Sequence, residues 1–336
     1  MTTSECSNVR EKSTVGIVIV NYKTSELAIE CIRSLNNERE SNRFKIIIVD
    51  NDSQDNSFEE MTSAVLSEGW EGWVKVQSSG FNGGFSFGNN FAIKQFMKKK
   101  KSPDFIYLLN PDTVVYDNAI KNLVSFLVEH PEVGIAGSRI EDGDGSPVHS
   151  SFRFHSWITE LNRGFSLGIL TRLLKPWISS DIIPDRPEKA DWVSGASMMI
   201  RSAMFEDIGL LDESYFMYFE ETDFCLRTLR SGWECWYVPS SKVVHFVGQS
   251  SGINNTGMTK RMPQYWFDSR RRYFLKNYGV IHTIAADFCW LIGFSSWKLR
   301  NILQRKEDNH PPRLLRDFFR NSIFVKGISV APNKVE

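Results

Sequence analysis

Short runs of β-branched residues alternate with segments of helical periodicity along the first half of the chain. Residues 15–20 (VGIVIV) and 46–49 (IIIV) have the continuous apolar character of strands that are buried on both faces. Between them, residues 25–35 place apolar side chains at helical spacing. A buried strand, a helix and a second buried strand in succession predict a parallel βαβ unit, the building block of α/β folds.

The alternation continues beyond this unit. A further helix is predicted over residues 58–66, and strands are predicted over residues 105–109 (FIYLL), 133–136 and 235–238. Elements in this order predict an α/β protein with a Rossmann-like open sheet flanked by helices. Residues 156–190 carry aromatic and basic side chains without a clean period, and we expect them to form a mobile excursion.

Cysteine usage and hydropathy indicate the compartment. The five cysteines among 336 residues are scattered, and no CxxC pair occurs. This pattern predicts neither a disulfide framework nor a structural zinc site and is typical of a reducing compartment. The first 14 residues are polar and are expected to be disordered, with no signal peptide and no clear membrane span in the chain. The sequence therefore predicts a cytoplasmic protein.

Polar clusters follow the predicted strands at the points where these strands end. In an open parallel sheet, ligands bind outside the carboxyl ends of the strands. A turn or a helix cap would explain one such cluster, but not why one follows each of these strands. The four clusters are Asn21-Tyr22, Asp50-Asn51-Asp52-Ser53, residues 82–90 (NGGFSFGNN) and Asn110-Pro111-Asp112-Thr113.

Three of these clusters have side chains or backbone suited to a nucleotide ligand. Asp50 can accept a hydrogen bond from the N3–H of a uracil or thymine ring. The glycine-rich residues 82–90 allow close approach of the backbone to a ligand, although they match neither a P-loop nor a GxGxxG motif. Asp112 can hold Mg²⁺ or Mn²⁺, which favour oxygen ligands together with donor phosphates. Taken alone, Asp112 would be an ordinary acid in a turn after a strand.

The second half of the chain adds acids and a histidine. Glu220, Glu221 and Asp223 follow an aromatic run, residues 216–219 (FMYF). Acids are favourable at a helix N-terminus, and this explains one or two of them. The functional interpretation is a catalytic base at the start of a helix. His245, after the predicted strand 235–238, is a metal ligand only if suitable neighbours surround it.

These segments, in this order, resemble bacterial family 2 glycosyltransferases with the GT-A fold, especially the rhamnosyltransferase-like branch. The matching segments cover about residues 15–252, and they read VIVNYK, VDNDSQDNS, NGGFSFGNN, LLNPDT, DWVSGASMMIRSAMFEDIGLLDESYFMYFEETDFCLRTLRSGW and VPSSKVVHFVGQSSG. The resemblance implies a mixed GT-A sheet over residues 15–257. Its nucleotide-binding half would be about residues 15–140 and its acceptor half about residues 190–257.

The resemblance also implies roles for single residues. Glu221 would be the general base, and His245 would join the metal and the diphosphate. Asp112 stands where the metal-binding acidic motif of the family ends. The remaining residues would bind the nucleoside (Tyr22, Asp50, Asn51), shape the donor pocket (Asn82, Gly84, Asn90) and line the sugar pocket (Trp192, Gly195, Ala196).

Two positions depart from the family pattern. Asn110 replaces the first acid of the common Asp-x-Asp motif, so that the donor itself would supply much of the metal coordination. Glu220-Glu221 stands where the branch tends to have Glu-Asp, which leaves the base between these two residues.

The implied function is an inverting transfer from a dTDP- or UDP-sugar, with dTDP-β-L-rhamnose as the donor, to a glycan or a lipid-linked surface-polysaccharide precursor. No nucleic-acid partner is expected. One alternative is an inactive relative that binds nucleotide or partners, which the missing acid at Asn110 would favour. Another is a sugar-nucleotide nucleotidyltransferase. That class carries a glycine-rich loop after the first strand, where this chain has Asn21-Tyr22-Lys23.

The C-terminal residues 258–336 are predicted to form a basic, amphipathic helical extension. Residues 258–326 hold 14 Lys and Arg against five Asp and Glu, a net of +9, whereas residues 1–257 hold 25 against 34, a net of −9. A helix over residues 279–304 would align an apolar stripe of nine side chains (Val280, Ile281, Ile284, Phe288, Leu291, Ile292, Leu299, Ile302, Leu303). Such a helix either lies in the plane of an anionic membrane or docks on the acidic body.

Overall fold

The computed structural model describes residues 13–39, 43–98, 101–179, 182–246 and 261–330. The prediction of disorder for residues 1–14 falls outside these ranges, except at residues 13 and 14. Twelve strands are formed, namely β1 (Thr14–Asn21), β2 (Arg43–Asp50), β3 (Val74–Ser78), β4 (Phe105–Leu109), β5 (Thr113–Val115), β6 (Val133–Glu141), β7 (Pro147–Val148), β8 (Ser151–Phe152), β9 (Glu188–Lys189), β10 (Trp192–Val193), β11 (Ser197–Arg201) and β12 (Glu234–His245).

Within the same ranges, helices lie between the strands along the chain, and the last three helices follow β12 as the C-terminal extension. They are α1 (Ser25–Leu35), α2 (Ser57–Ser67), α3 (Gly84–Met97), α4 (Ala119–Glu129), α5 (Trp157–Phe165), α6 (Gly168–Leu174), α7 (Met204–Ile208), α8 (Glu220–Arg230), α9 (Gln264–Leu303), α10 (Leu314–Asn321) and α11 (Ile323–Lys326).

The main sheet is open and mixed, as predicted. Its order is β3-β2-β1-β4-β11-β6-β12-β5, with β7 added to β6 and β9 to β12. Strands β3, β2, β1 and β4 run parallel, whereas β11 lies antiparallel to both β4 and β6. The register pairs Asn21 with Asp50, so the first two polar clusters emerge side by side at one edge. The predicted α/β fold class is confirmed.

The expectation of a mobile excursion over residues 156–190 is wrong for most of this segment. It contains α5, α6 and β9, and α5 packs along α9 so closely that Cβ atoms added at Gly164 or Gly293 would lie 2.9 or 2.7 Å from the facing backbone. The helical period is obscured because Glu160, a charged residue, occupies the buried face of α5, where it accepts hydrogen bonds from the guanidinium of Arg270.

The predicted helix over residues 279–304 corresponds to the second part of α9. α9 begins at Gln264, and Gly279, with a φ of +79°, breaks its backbone into two helical parts, the second of which ends at Leu303. Beyond this break, the buried side is formed by Trp290 and Phe294, which stack on each other and belong to a cluster with Phe318 of α10. The predicted apolar stripe lies on the opposite, mostly exposed side. By length and composition alone, α9 is also the one described helix that could cross a membrane.

Candidate active site

The first two polar clusters form one hydrogen-bonded corner at the end of β1 and β2. The Asp50 carboxylate is buried and accepts hydrogen bonds from the side chains of Asn21 (3.0 Å) and Ser53 (2.5 Å). These donors hold the carboxylate in one orientation at the sheet edge. Tyr22, which directly follows β1, is 41% exposed and is therefore accessible to a ligand at this edge.

Asn51 connects this corner to the glycine-rich segment. Its amide donates to the side-chain oxygen of Asn82 (3.0 Å) and to the carbonyl of Gly84 (3.1 Å). Its own oxygen accepts a hydrogen bond from Ser79. Asn51, which the resemblance assigns to the nucleoside, is thus bonded to Asn82 and Gly84, which it assigns to the donor pocket.

Gly84 occupies a position at which a residue with a Cβ atom does not fit. Its φ is +83°, and an added Cβ would lie 2.0 Å from the carbonyl oxygen of Phe216. The next residue, Phe85, donates its backbone N–H to that same oxygen at 2.8 Å. This contact brings the segment before the acidic cluster against the start of α3, and the close approach requires glycine.

Asn90, in contrast, uses its whole amide to hold a loop. Its nitrogen donates to the carbonyl of Leu211 and to Glu213, and its oxygen accepts from the N–H of Leu211. Any contribution of Asn90 to a donor pocket would therefore be made by positioning residues 211–213.

Asp112 and His245 meet across the pairing of β5 and β12. Asp112 is buried, and its Oδ1 lies 3.1 Å from Nε2 of His245. The amide nitrogen of Asn110 lies 3.4 Å from the same Nε2, while its buried Oδ1 has no hydrogen-bond partner. This group contains two kinds of oxygen ligand and an imidazole. Among the described residues, no cluster of three or more His, Cys, Asp or Glu side chains could hold a metal.

The expected sugar-pocket residues separate this group from the acidic cluster. Trp192 is partly exposed and stacks on Phe152, with ring centroids 4.3 Å apart. The carbonyl of Ala196 accepts the backbone N–H of Asn110. At Gly195, an added Cβ would lie 3.4 Å from the ring of Phe85 and 3.8 Å from Cβ of Glu221, so this turn touches both sides of the site.

Glu220 and Glu221 begin α8 after a strained stretch of backbone. Tyr218 and Phe219 both adopt left-handed conformations, with φ of 71° and 67°, which is costly for side chains of this size. One carboxyl oxygen of each glutamate is buried without a hydrogen-bond partner. Burial raises the pKa of Glu221 to about 7, and burial together with the neighbouring Glu221 raises the pKa of Glu220 well above its usual value. A carboxyl with a pKa near 7 is suited to general base catalysis.

Asp223, the third acid of the cluster, has a structural function. It is fully buried and accepts hydrogen bonds from Lys276 (2.8 Å) and Asn277 (2.9 Å) of α9. In addition, Ser269 of α9 donates to the carbonyl of Met217. The C-terminal extension therefore braces the segment that carries the two glutamates. The sequence offered only one signal of this role, the opposite net charges of body and tail.

Comparison with known proteins identifies the family of this chain. The family model described as glycosyl transferase family 2 matches residues 16–204, more than half of the chain. The chain belongs to glycosyl transferase family 2. This result confirms the resemblance found in the sequence, and the glycosyltransferase carries its acidic cluster just beyond the matched residues.

Relatives and solved structures agree with this assignment. The glycosyltransferase is 27% identical over 238 residues to rhamnosyltransferase WbbL of Escherichia coli, covering 69% of this chain and 83% of WbbL. It is 28% identical over 190 residues, 53% of this chain, to N-acetylglucosaminyl-diphospho-decaprenol L-rhamnosyltransferase of Mycobacterium tuberculosis, of which it spans 61%.

A solved structure supports the fold. The crystal structure of GalNAc-T7 with UDP, GalNAc and Mn²⁺ superposes with a TM-score of 0.53 at 15% identity, covering 88% of this chain and 59% of that one. At this identity the likeness concerns the fold alone, and the GT-A architecture is confirmed.

Proposed function

We propose that this glycosyltransferase transfers L-rhamnose from dTDP-β-L-rhamnose to a hydroxyl of a glycan or of a lipid-linked surface-polysaccharide precursor, with inversion at the anomeric carbon. The names of the E. coli and M. tuberculosis relatives support rhamnose as the sugar. The mycobacterial name also supports a diphospho-polyprenol acceptor. The nucleotide is carried over from the sequence resemblance.

The observation that carries the proposal is the environment of Glu221. Its carboxyl is buried, one of its oxygens has no partner, and its Cβ approaches the expected sugar pocket at Gly195. In the proposed reaction, the acceptor oxygen forms a bond to the anomeric carbon while the bond from that carbon to the diphosphate breaks. Glu221 takes the proton of the acceptor hydroxyl, and the nucleoside diphosphate leaves with the electron pair.

The group formed by Asn110, Asp112 and His245 fits a divalent cation. The unpartnered Oδ1 of Asn110 and the carboxylate of Asp112 are hard oxygen ligands, and imidazole is accepted by Mn²⁺. Mg²⁺ or Mn²⁺ bound there would offset negative charge on the leaving diphosphate. Two or three protein ligands are sufficient when donor phosphates complete the coordination, which is the usual arrangement for Mg²⁺.

The two alternative functions have less support. An inactive relative needs neither a carboxyl with a pKa near 7 nor a buried aspartate within hydrogen-bond distance of a histidine. A nucleotidyltransferase would place a glycine-rich loop after β1, whereas Asn21 there bonds to Asp50 and the glycine-rich segment begins α3. A lipid-linked acceptor would place the enzyme on the cytoplasmic face of a membrane.

The test is a panel of nucleotide sugars. Purified enzyme would be incubated with Mg²⁺ or Mn²⁺ and dTDP-β-L-rhamnose, dTDP-glucose, UDP-glucose or UDP-N-acetylglucosamine, and release of the nucleoside diphosphate would be measured. We expect turnover of dTDP-β-L-rhamnose above the other donors, and strongly reduced turnover by the Glu221→Gln variant. Preference for another sugar would contradict the rhamnosyl assignment, and no turnover of any donor would contradict the enzymatic one.

A further inference from the structure

The basic residues of the C-terminal extension divide into two groups. Those in the first half of α9 pair with acids, as Arg270 does with Glu160 and Asp287, and Lys276 with Asp212 and Asp223. Docking on the acidic body therefore accounts for this half of the tail. Among the described residues, seven later basic side chains form no ion pair (Lys298, Arg305, Lys306, Arg313, Arg316, Arg320, Lys326).

An exposed apolar face lies along the second half of α9, where Lys298 is on the helix and Arg305 and Lys306 follow its end. Eight of the nine stripe residues of α9 are between 41% and 85% exposed, with Ile281, Ile302 and Leu303 the most open. They recur at helical spacing along residues 280–303, a length of about 36 Å. Trp290 and Phe294 are buried on the opposite side of the helix. Their burial fixes the rotation of the helix about its own axis, so the apolar face points away from the protein.

A second helix adds to this face. On α6 and directly after it, Ile169, Leu173 and Trp177 are 75%, 68% and 54% exposed, and Arg172 and Lys175 lie among them. α6 begins three residues after α5, and α5 packs on the second half of α9: Arg300 donates to the carbonyl of Phe165, the last residue of α5, and Gly164 and Gly293 bring the backbones of α5 and α9 into contact. The chain thus enters α6 close to α9, and both helices expose large apolar side chains with basic residues beside them.

We propose that α6 and residues 280–303 of α9 together form a docking surface for an anionic lipid bilayer. Apolar side chains would enter the boundary between headgroups and acyl chains, and the flanking cations would contact lipid phosphates. The environment of Asp287 supports a helix that lies on the bilayer surface and does not cross it. The carboxylate of Asp287 is buried against Arg270 and the N–H of Ile323. A helix that crossed the bilayer would have to give up these internal bonds.

A second copy of the chain is a less favourable occupant. A two-fold contact sets a surface against itself, so the unpaired cations of the two copies would meet. An anionic bilayer offers both an apolar layer and the opposite charge. The inference deepens the proposed function, since a lipid-linked acceptor is delivered at such a surface, but it is tested without reference to turnover.

The experiment is co-sedimentation of the full-length protein with vesicles of phosphatidylcholine, with and without phosphatidylglycerol. Truncation within α9 is unsuitable, since it would remove Trp290 and Phe294 from the core. Paired substitutions at exposed sites are used instead, Ile169→Gln with Leu173→Gln on α6 and Ile302→Gln with Leu303→Gln on α9. The matched control is Leu66→Gln with Leu229→Gln, two exposed leucines on the body.

We expect binding only to the vesicles that contain phosphatidylglycerol, and we expect salt to weaken it. Each helix pair should weaken partitioning about tenfold or more, and the control pair should not. Arg305→Gln with Lys306→Gln should also weaken it, in contrast to Lys75→Gln with Lys121→Gln. The shared surface would be overturned if the wild type did not bind the vesicles, or if the α9 substitutions weakened vesicle binding and the α6 substitutions did not. Self-association of the wild type that the same variants abolish would assign the face to a second copy.

Release of nucleoside diphosphate from dTDP-β-L-rhamnose in vesicle-free solution separates the two proposals. The α6 and α9 variants should retain it at the wild-type rate. A wild type that binds vesicles but releases no nucleotide would refute the proposed function and leave the docking surface in place.

Discussion

Nε2 of His245 lies 3.1 Å from Oδ1 of Asp112, although 133 residues separate the two in the chain. The antiparallel pairing of β5 with β12 sets His245 opposite Thr113, the neighbour of Asp112, and so creates this contact. A lone histidine at a strand end and a lone aspartate in a turn are unremarkable separately. Their proximity, with the unpartnered oxygen of Asn110 beside them, is what makes a cation site credible.

The first prediction concerns this group. Asp112→Asn keeps the shape of the side chain but removes its charge, and we expect donor turnover to fall about a hundredfold or more because bound cation is lost. EDTA should abolish wild-type activity, and Mg²⁺ or Mn²⁺ should restore it. The matched control is Asp142→Asn in an exposed turn, which should leave turnover unchanged. Full wild-type activity in chelator would refute a metal-assisted reaction.

The second prediction distinguishes the two glutamates. Glu221→Gln should lower turnover by ~10²–10⁴, the usual effect of removing a general base, while donor affinity is retained. Glu220→Gln should cost much less, because it is Glu221 whose Cβ approaches the expected sugar pocket at Gly195. Donor affinity can be measured by calorimetry. A larger loss for Glu220→Gln would assign the base to the other residue.

The third prediction concerns pH. Since burial raises the pKa of Glu221 to about 7, its basic form accumulates only above that pH, and kcat/KM should rise with pH to a plateau above about 7. This limb should persist in Glu220→Gln and be absent from the residual activity of Glu221→Gln. The folded state binds more protons than the unfolded state between pH 4.5 and about 7, so Glu221 should lower the stability of the enzyme as pH rises through this window. A kcat/KM that rises with pH around 4.5, and not around 7, would contradict the raised pKa of Glu221.

The fourth prediction concerns Gly84. Gly84→Ala should weaken donor binding and destabilise the protein, because the added methyl meets the carbonyl of Phe216 at 2.0 Å. Gly145→Ala is the control, since Gly145 has the same φ of +83° but nothing within 4 Å. Both variants place alanine at a φ of +83° and so carry the same backbone strain, but only Gly84→Ala adds a steric clash. Equal unfolding free energies and unchanged donor affinity for both would show that the contact is unimportant.

The fifth prediction concerns the buried ion pairs that hold α9. Arg270→Met leaves Glu160 and Asp287 buried without their cation, and such a loss typically costs ~3–5 kcal/mol of unfolding free energy. Arg33→Met also removes an arginine with two acidic partners, Glu30 and Glu68, but this cluster is exposed and its loss should cost far less unfolding free energy. Urea unfolding followed by tryptophan fluorescence measures both. Similar losses would indicate that the Arg270 network does not brace the extension.

Local pattern was sufficient for much of the sheet. The predicted helix over residues 25–35 and the strand over residues 105–109 have the observed bounds, because their apolar periods arise within each segment. The polar clusters also lie at strand ends, as expected. Pattern failed at α5, where a buried charge interrupts the period, and at β12. This single strand contains both the predicted strand 235–238 and His245, with an irregularity in register between them.

The sequence by itself determined the family, the fold class and the set of polar residues at the strand ends, because each is written in short segments whose order is characteristic. Only the tertiary structure decided how equivalent-looking residues divide their tasks. Asp223 and Glu221 belong to one acidic cluster, yet Asp223 accepts hydrogen bonds from Lys276 and Asn277, whereas Oε2 of Glu221 has no hydrogen-bond partner in the described part of the chain. Likewise, the apolar stripe of α9 is exposed because the partners of Trp290 and Phe294 lie on α5 and α10. Charge and hydropathy are properties of a residue, whereas burial and pKa depend on neighbours that only folding supplies.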